Sequence, residues 1–199
     1  MNVIIKKIFP ESKRMDKFEI VKETIAALAS KKDYMIVAID GSCASGKTTL
    51  ATQLAEHFDC NLFHADDFFL TPDLRTTERL AETGGNIDYD RLLKEVLTPI
   101  LNRESFSYRP YDCSSRALAE PITVTQKPIN IVEGSYSLHP CLAHAYDLKI
   151  LLTVSEDLRR ERILRRPEHL HNRFFNEWIP MEQKYFAETK IAERCDLIL

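Results

Sequence analysis

The stretch YMIVAIDGSCASGKT, residues 34–48, decides the fold. Its first seven residues form a short, β-rich apolar run of the kind buried on both faces of a parallel sheet. The next eight, Gly41-Ser42-Cys43-Ala44-Ser45-Gly46-Lys47-Thr48, match GxxxxGK[ST] in full. Leu50, Leu54 and Phe58 then recur four apart, so strand, glycine loop and helix follow in the order a phosphate-binding loop requires. Glycines let such a loop fold tightly with its N–H groups inward, and the helix N-terminus adds partial positive charge. Lys47 is expected to reach the β- and γ-phosphates of a nucleotide, and the Thr48 hydroxyl to bind Mg²⁺. Gly41 through Thr48, together with Thr49, are the expected nucleotide contacts. Cys43 reads as a small loop filler rather than a redox switch.

Outward from the loop, Phe18, Val21, Ile25 and Leu28 recur at helical spacing, with Asp16 and Glu19 placed like a capping box. Further strands are predicted at 61–65, 129–134, 148–154 and 196–199. A helix is predicted over 88–102, with Leu92, Leu93, Val96, Leu97, Ile100 and Leu101 on one stripe. Strands alternating with helices predict an α/β fold of three αβα layers around a mostly parallel five-stranded sheet. Right-handed crossovers would set the strand C-termini along one edge, where a ligand binds. No repeat, linker or shift in composition divides the chain, so a single domain over 1–199 is expected, with a helical extension at 1–33. The polar stretches 71–87, 105–128 and 167–180 read as insertions, which in a compact domain are often functional.

Composition narrows the classes. The 199 residues carry 27 Lys+Arg against 30 Asp+Glu and are 44% apolar, as expected for one globular domain. A net charge of −3 gives no whole-molecule reason to bind nucleic acid or an anionic membrane. No apolar run approaches the roughly 20 residues that span a bilayer. The start, MNVIIKKIFPESKR, puts charges and a proline where a signal peptide has its apolar stretch. The five cysteines are an odd number, widely spaced and without a CxxC pair, which points to reduced thiols in a cytoplasmic protein. The expected partner is a small molecule, with no nucleic acid and no membrane; self-association into a homo-oligomer stays open. Average usage of roughly 7% would give about 14 glycines, yet there are five, at positions 41, 46, 84, 85 and 134.

Three absences bear on the fate of the terminal phosphate. The chain has no NKxD, no DxxG and no LSGGQ-like segment, which disfavours a signalling GTPase or a transporter ATPase and leaves transfer to a small acceptor. His64-Ala65-Asp66-Asp67-Phe68-Phe69 ends the second predicted strand, placing Asp66 at the sheet edge. A carboxylate there can take the proton of an attacking hydroxyl and help hold Mg²⁺. Phe68 is a candidate to stack on an acceptor ring, or else belongs to the core. Glu133 ends the strand INIVEG as a Walker B carboxylate and a second candidate magnesium ligand.

GSCASGKTTLA, ADDFF, IVEGSY and a following basic helix together resemble the uridine kinase and phosphoribulokinase-like group of P-loop kinases, which includes nicotinamide riboside kinases. The similarity runs from about residue 34 to the end of the chain. Trp178-Ile179-Pro180-Met181 with Tyr185 adds a local likeness to nicotinamide riboside kinases. The resemblance implies an ATP- and Mg²⁺-dependent transfer to a hydroxyl, with a nucleoside as the leading acceptor. It implies Asp66 as general base and metal ligand, and Glu133 as the Walker B carboxylate. It also makes Asp88, ahead of Asp90, the candidate to grip the ribose hydroxyls; helix N-capping is the other reading for both. Where uridine kinases read the base with a Tyr and a His, this chain has Tyr108-Arg109-Pro110-Tyr111-Asp112, so Arg109 and Tyr111 become candidate acceptor contacts. Nicotinamide riboside, pantothenate-like compounds and sugar phosphates stay open as acceptors, as does a non-catalytic ATP-binding regulator.

The lid is expected at 157–180. Between residues 157 and 173, Arg159, Arg160, Arg162, Arg165, Arg166 and Arg173 outnumber Asp157, Glu161 and Glu168. Guanidinium groups delivered by a closing segment stabilise charge on a transferring phosphoryl group. Arg162 and Arg166, four apart, are the first choices for this catalytic role, with Arg165 next. His169, His171, Trp178 and Tyr185 are read as packing the hinge.

Overall fold

Alternation within the central run builds the layers. Met35, Val37 and Ile39 join the buried cluster on one face of the sheet, whereas Ile36 and Ala38 join the cluster on the other. The computed structural model describes residues 7–8 and 16–199. Its main sheet contains β1 (Lys7–Ile8), β2 (Met35–Gly41), β3 (Cys60–His64), β4 (Ile129–Glu133), β5 (Leu148–Leu152) and β6 (Leu197–Ile198). The order is β1-β6-β5-β2-β4-β3, and every pairing is parallel. All five expected strands are present, and β1 adds a sixth at the edge. Of the expected extension over 1–33, residues 1–6 and 9–15 lie outside the described residues.

The first face is covered by α1 (Lys17–Ala29) and α2 (Lys47–His57), whose Ile20, Val21, Ile25, Leu50, Ala51 and Leu54 meet the sheet. Asp16 caps α1, accepting from the Phe18 N–H at 3.1 Å, while Glu19 pairs with Lys22 instead of closing the capping box. After β5 comes α3 (Glu156–Leu164), and the last long helix is α4 (Ile179–Thr189). Tyr185 of α4 lies in the cluster on the second face, with Leu92, Val96, Leu97 and Ile100. The helix expected over 88–102 winds in three pieces: α-helical Tyr89–Leu92, π-helical Leu93–Leu97 and α-helical Thr98–Leu101. Pro99 has no N–H to give the preceding turn. The stripe holds except at Leu101, which is half exposed. Among the described residues no helix is long and apolar enough to cross a membrane.

Register fixes the functional edge. Ile39 and His64 both lie opposite Glu133, and Gly41 lies opposite Leu152. The C-terminal ends of β2, β3 and β4 therefore deliver the glycine loop, the Asp66 turn and Glu133 to one place. Of the polar insertions, 71–87 carries a short helix, Thr77–Ala81. The 105–128 stretch folds into two antiparallel pairs, Phe106–Tyr108 with Ile122–Val124 and Tyr111–Asp112 with Ala117–Leu118.

Candidate active site

The loop has the backbone its sequence calls for. Gly41 has φ +151°, and a Cβ there would fall 2.3 Å from the Leu152 carbonyl oxygen, so only glycine lets β5 pass this close. Gly46 precedes α2 with a left-handed backbone, as does Ala44 inside the loop. Lys47 Nζ spans the loop, donating to the carbonyls of Gly41 at 2.8 Å and Ser42 at 3.0 Å. Ser45 Oγ is buried with no hydrogen-bond partner among the described residues, as suits a loop built around a polar ligand. Thr48 and Thr49 are exposed on the first turn of α2.

Glu133 is the hub beside it. Buried at the end of β4, its Oε1 accepts from Thr48 Oγ1 at 3.1 Å and lies 2.6 Å from His64 Nδ1. That contact holds the His64 pKa above its usual value against the opposing effect of burial. Asp66 occupies the 3₁₀ turn after β3, Ala65–Phe68. Asp66 is exposed. Crowding by the surrounding protein raises its pKa first and the charge of Glu133 second, with Lys47 and His64 pulling back. A carboxylate with a raised pKa next to a lysine and a phosphate loop is suited to taking a proton.

Cys43 behaves as filler. Burial and the neighbouring Glu182 carboxylate push its thiol up to about 12, so at pH 8 the reactive thiolate is about a thousandfold rarer than in free cysteine. Iodoacetamide labelling followed by peptide mass spectrometry should find Cys43 at least a hundredfold slower than a free thiol at that pH. Labelling at the free-thiol rate would contradict this.

The candidate acceptor residues divide. Phe68 is fully buried and stacks on Tyr108 at 5.5 Å, with the Arg91 guanidinium 5.1 Å from its ring, so it is core and cannot face an acceptor. Asp88 is buried and takes the capping role, its Oδ1 accepting from the Arg91 N–H at 3.0 Å; Asp90 follows in that first turn. Arg109 is exposed, but its guanidinium is tied to the carbonyls of Leu118 and Ala119, where it staples the small strand pair. Tyr111, half-buried, starts the short strand that packs against the Asp66 turn. The neighbouring Tyr108 donates to Asp67 at 3.1 Å. Gly84 has φ +67°, and a Cβ there would meet Tyr89 Oη at 2.3 Å. Close packing on tyrosine therefore explains this glycine, independently of any acceptor.

Of the arginines expected to form a lid, Arg162 reaches the loop: its Nη1 donates to the Ala44 carbonyl at 2.8 Å and lies 3.9 Å from where a Gly46 Cβ would be. Arg166 does not share its face. α3 ends at Leu164, because Pro167 disfavours helical backbone at the residue before it. The Arg166 guanidinium sits 4.9 Å from the Phe174 ring instead. Arg165 pairs with Glu161. Arg160 lies over Phe175 and Arg173 over Trp178. His171 contacts the Arg166 carbonyl at 2.8 Å, and Trp178 packs edge-on against Phe174.

Three residues outside the sequence expectations complete the site. Asp40, fully buried at the end of β2, accepts from the N–H groups of Gly41, Tyr136 and Leu138 and from Tyr185 Oη, at 2.6, 3.2, 3.0 and 2.7 Å. Burial raises its pKa, and the Leu138 N–H, the Tyr185 hydroxyl, Lys47 and the Gly41 N–H oppose the rise. His64 holds Glu133, as described. Glu182, from α4, accepts from the Cys43 N–H and Ser135 Oγ. Asp40 adjoins the loop in sequence, but its partners Tyr136, Leu138 and Tyr185, like Glu182, reach it only through the tertiary fold.

Among the described residues no group of three or more His, Cys, Asp or Glu side chains is arranged to hold a metal ion. Thr48, Glu133 and Asp66 are hard oxygen donors, which suits Mg²⁺, an ion that keeps waters and completes its shell with phosphate oxygens. The donor set thus fits a cation that arrives with a nucleotide.

No protein-family model matches the chain. A curated uridine kinase from Anoxybacillus flavithermus is 27% identical over 176 residues, spanning 80% of this chain and 83% of that protein. Two solved structures with provisional names share the fold at 18% identity. A uridine kinase from Bacillus stearothermophilus has a TM-score of 0.72 over 92% of this chain and 97% of its own. A fructose transport system kinase from Silicibacter sp. TM1040 has 0.68 over 93% and 100%. The resemblance to uridine kinase-like P-loop kinases, carried in the sequence by four short motifs, is borne out along most of the chain.

Proposed function

We propose that this chain is an ATP-dependent small-molecule kinase that transfers the γ-phosphate to a hydroxyl, with the 5′-hydroxyl of a nucleoside as the leading acceptor. The observation that carries this reading is the convergence at one sheet edge of Lys47 and Thr48 in the loop with Asp66 and Glu133 at the ends of β3 and β4. The nucleoside preference rests on the likeness to a curated uridine kinase.

In this reading the loop N–H groups and Lys47 bind the phosphates, and Asp66 takes the proton of the attacking hydroxyl. Thr48, Glu133 and Asp66 would hold Mg²⁺, which, when bound, neutralises charge on the phosphates. His64 fixes the Glu133 carboxylate, and Arg162, already at the loop, is placed to meet charge on the transferring group. Asp40 holds the root of the loop in shape.

ADP release, measured with a panel of nucleosides, nicotinamide riboside, pantothenate and sugar phosphates, tests the proposal. Acceptor-stimulated release, strongest with a nucleoside, is expected. A rate that no compound raises above the acceptor-free value would overturn it.

A further inference from the structure

Glu182 is an unusual residue to bury. It is 3% exposed on the first turn of α4, and among the described residues no cationic side chain lies within 4 Å of its carboxylate. An ionised carboxylate in such a place is costly unless hydrogen bonds compensate. Here they do: both oxygens lie 2.9 Å from the Cys43 N–H, and Oε1 also accepts from Ser135 Oγ at 2.9 Å. Ser135 stands just past β4, and its hydroxyl lies 3.5 Å from the Gly41 carbonyl. One carboxylate thus joins the tip of the phosphate loop, the turn after the Walker B strand and the helix that follows the arginine-rich segment. One turn further along α4, Tyr185 binds Asp40 at the loop's root. The helix thus holds the loop at its root, through Asp40, and at Cys43.

We infer that Glu182 is a positioning residue for nucleotide binding. Through Cys43 it keeps the phosphate loop in its binding shape before the nucleotide arrives, so that the cost of ordering the loop is not charged against ATP affinity. Its side chain touches neither Lys47 nor Asp66 in any hydrogen bond of the structure, which separates it from the chemical step. The inference rests on the nucleotide-site reading of the loop and deepens it.

Equilibrium titration with ATP tests the inference, using wild type, Glu182→Ala and Glu182→Gln, with circular dichroism confirming the fold. Glu182→Ala is expected to weaken ATP binding at least tenfold. Glu182→Gln should stay within threefold of wild type, because its amide oxygen still accepts from Cys43 and the Ser135 hydroxyl can turn to accept from its amide nitrogen. Native affinity in the alanine variant, or equal losses in both, would overturn the inference. If Glu182→Ala fails to fold, Ser135→Ala carries the test. It removes one of the carboxylate's donors and is expected to weaken ATP binding two- to fivefold, and unchanged affinity would be the contrary result. A wild-type protein that binds no ATP would instead overturn the reading of the loop itself.

Discussion

Asp66→Ala should lower the rate of phosphoryl transfer by about 10²–10⁴-fold, the usual contribution of a positioned general base, while ATP affinity stays within about threefold of wild type. The two effects separate because the residues that shape the nucleotide cradle are elsewhere. Lys47, the loop glycines and Glu182 belong to or touch the segment after β2, whereas Asp66 stands on the turn after β3. Its pKa is raised by crowding and by Glu133, the direction that makes a carboxylate a better proton acceptor. Steady-state kinetics with a titration of ATP binding checks both halves. Full activity in the variant would remove Asp66 from the mechanism, and loss of binding alone would make it a nucleotide residue.

Asp40→Ala should have the largest effect on stability. The substitution strips the acceptor from three backbone N–H groups and the Tyr185 hydroxyl in a fully buried place. Each buried donor left unsatisfied costs about 1–3 kcal/mol. Allowing for relaxation, a total of about 4 kcal/mol is expected, which for a chain of this size lowers Tm by roughly 10–15 °C. Thermal denaturation followed by circular dichroism measures it. A fall of less than about 3 °C would mean that water or rearranged backbone replaces the carboxylate, and that the root of the loop is not held as described.

What could be read from the sequence was what lies in contiguous residues. The glycine loop, its flanking strand and helix, and the strand-end carboxylates Asp66 and Glu133 each announce themselves within a few positions. Phe68 and Arg166 went differently because their fate is settled by neighbours far along the chain or by a local stop. Tyr108 and Arg91 enclose Phe68, and Pro167 ends the helix that was to place Arg166 beside Arg162. Asp40 read only as the last residue of an apolar run, although a carboxylate at the end of so buried a strand is itself a sign of waiting donors. Glu182 sat unremarked between Met181 and Tyr185, inside the very likeness that drew attention to that segment. Its role depends on α4 packing back onto the loop, 139 positions away from Cys43. The glycines show the same division: Gly41 does what the motif requires, while Gly84 answers to the Tyr89 hydroxyl against which it packs.

The central claim is that the γ-phosphate of ATP passes to a hydroxyl of a small acceptor at the edge where the loop, Asp66 and Glu133 meet. The most direct test follows a terminal-phosphate label from ATP in the presence of uridine and of the other acceptors in the panel. The account predicts label in an acceptor monophosphate, with the nucleoside 5′-monophosphate formed fastest. Label recovered only as inorganic phosphate, at a rate indifferent to every acceptor, would contradict it.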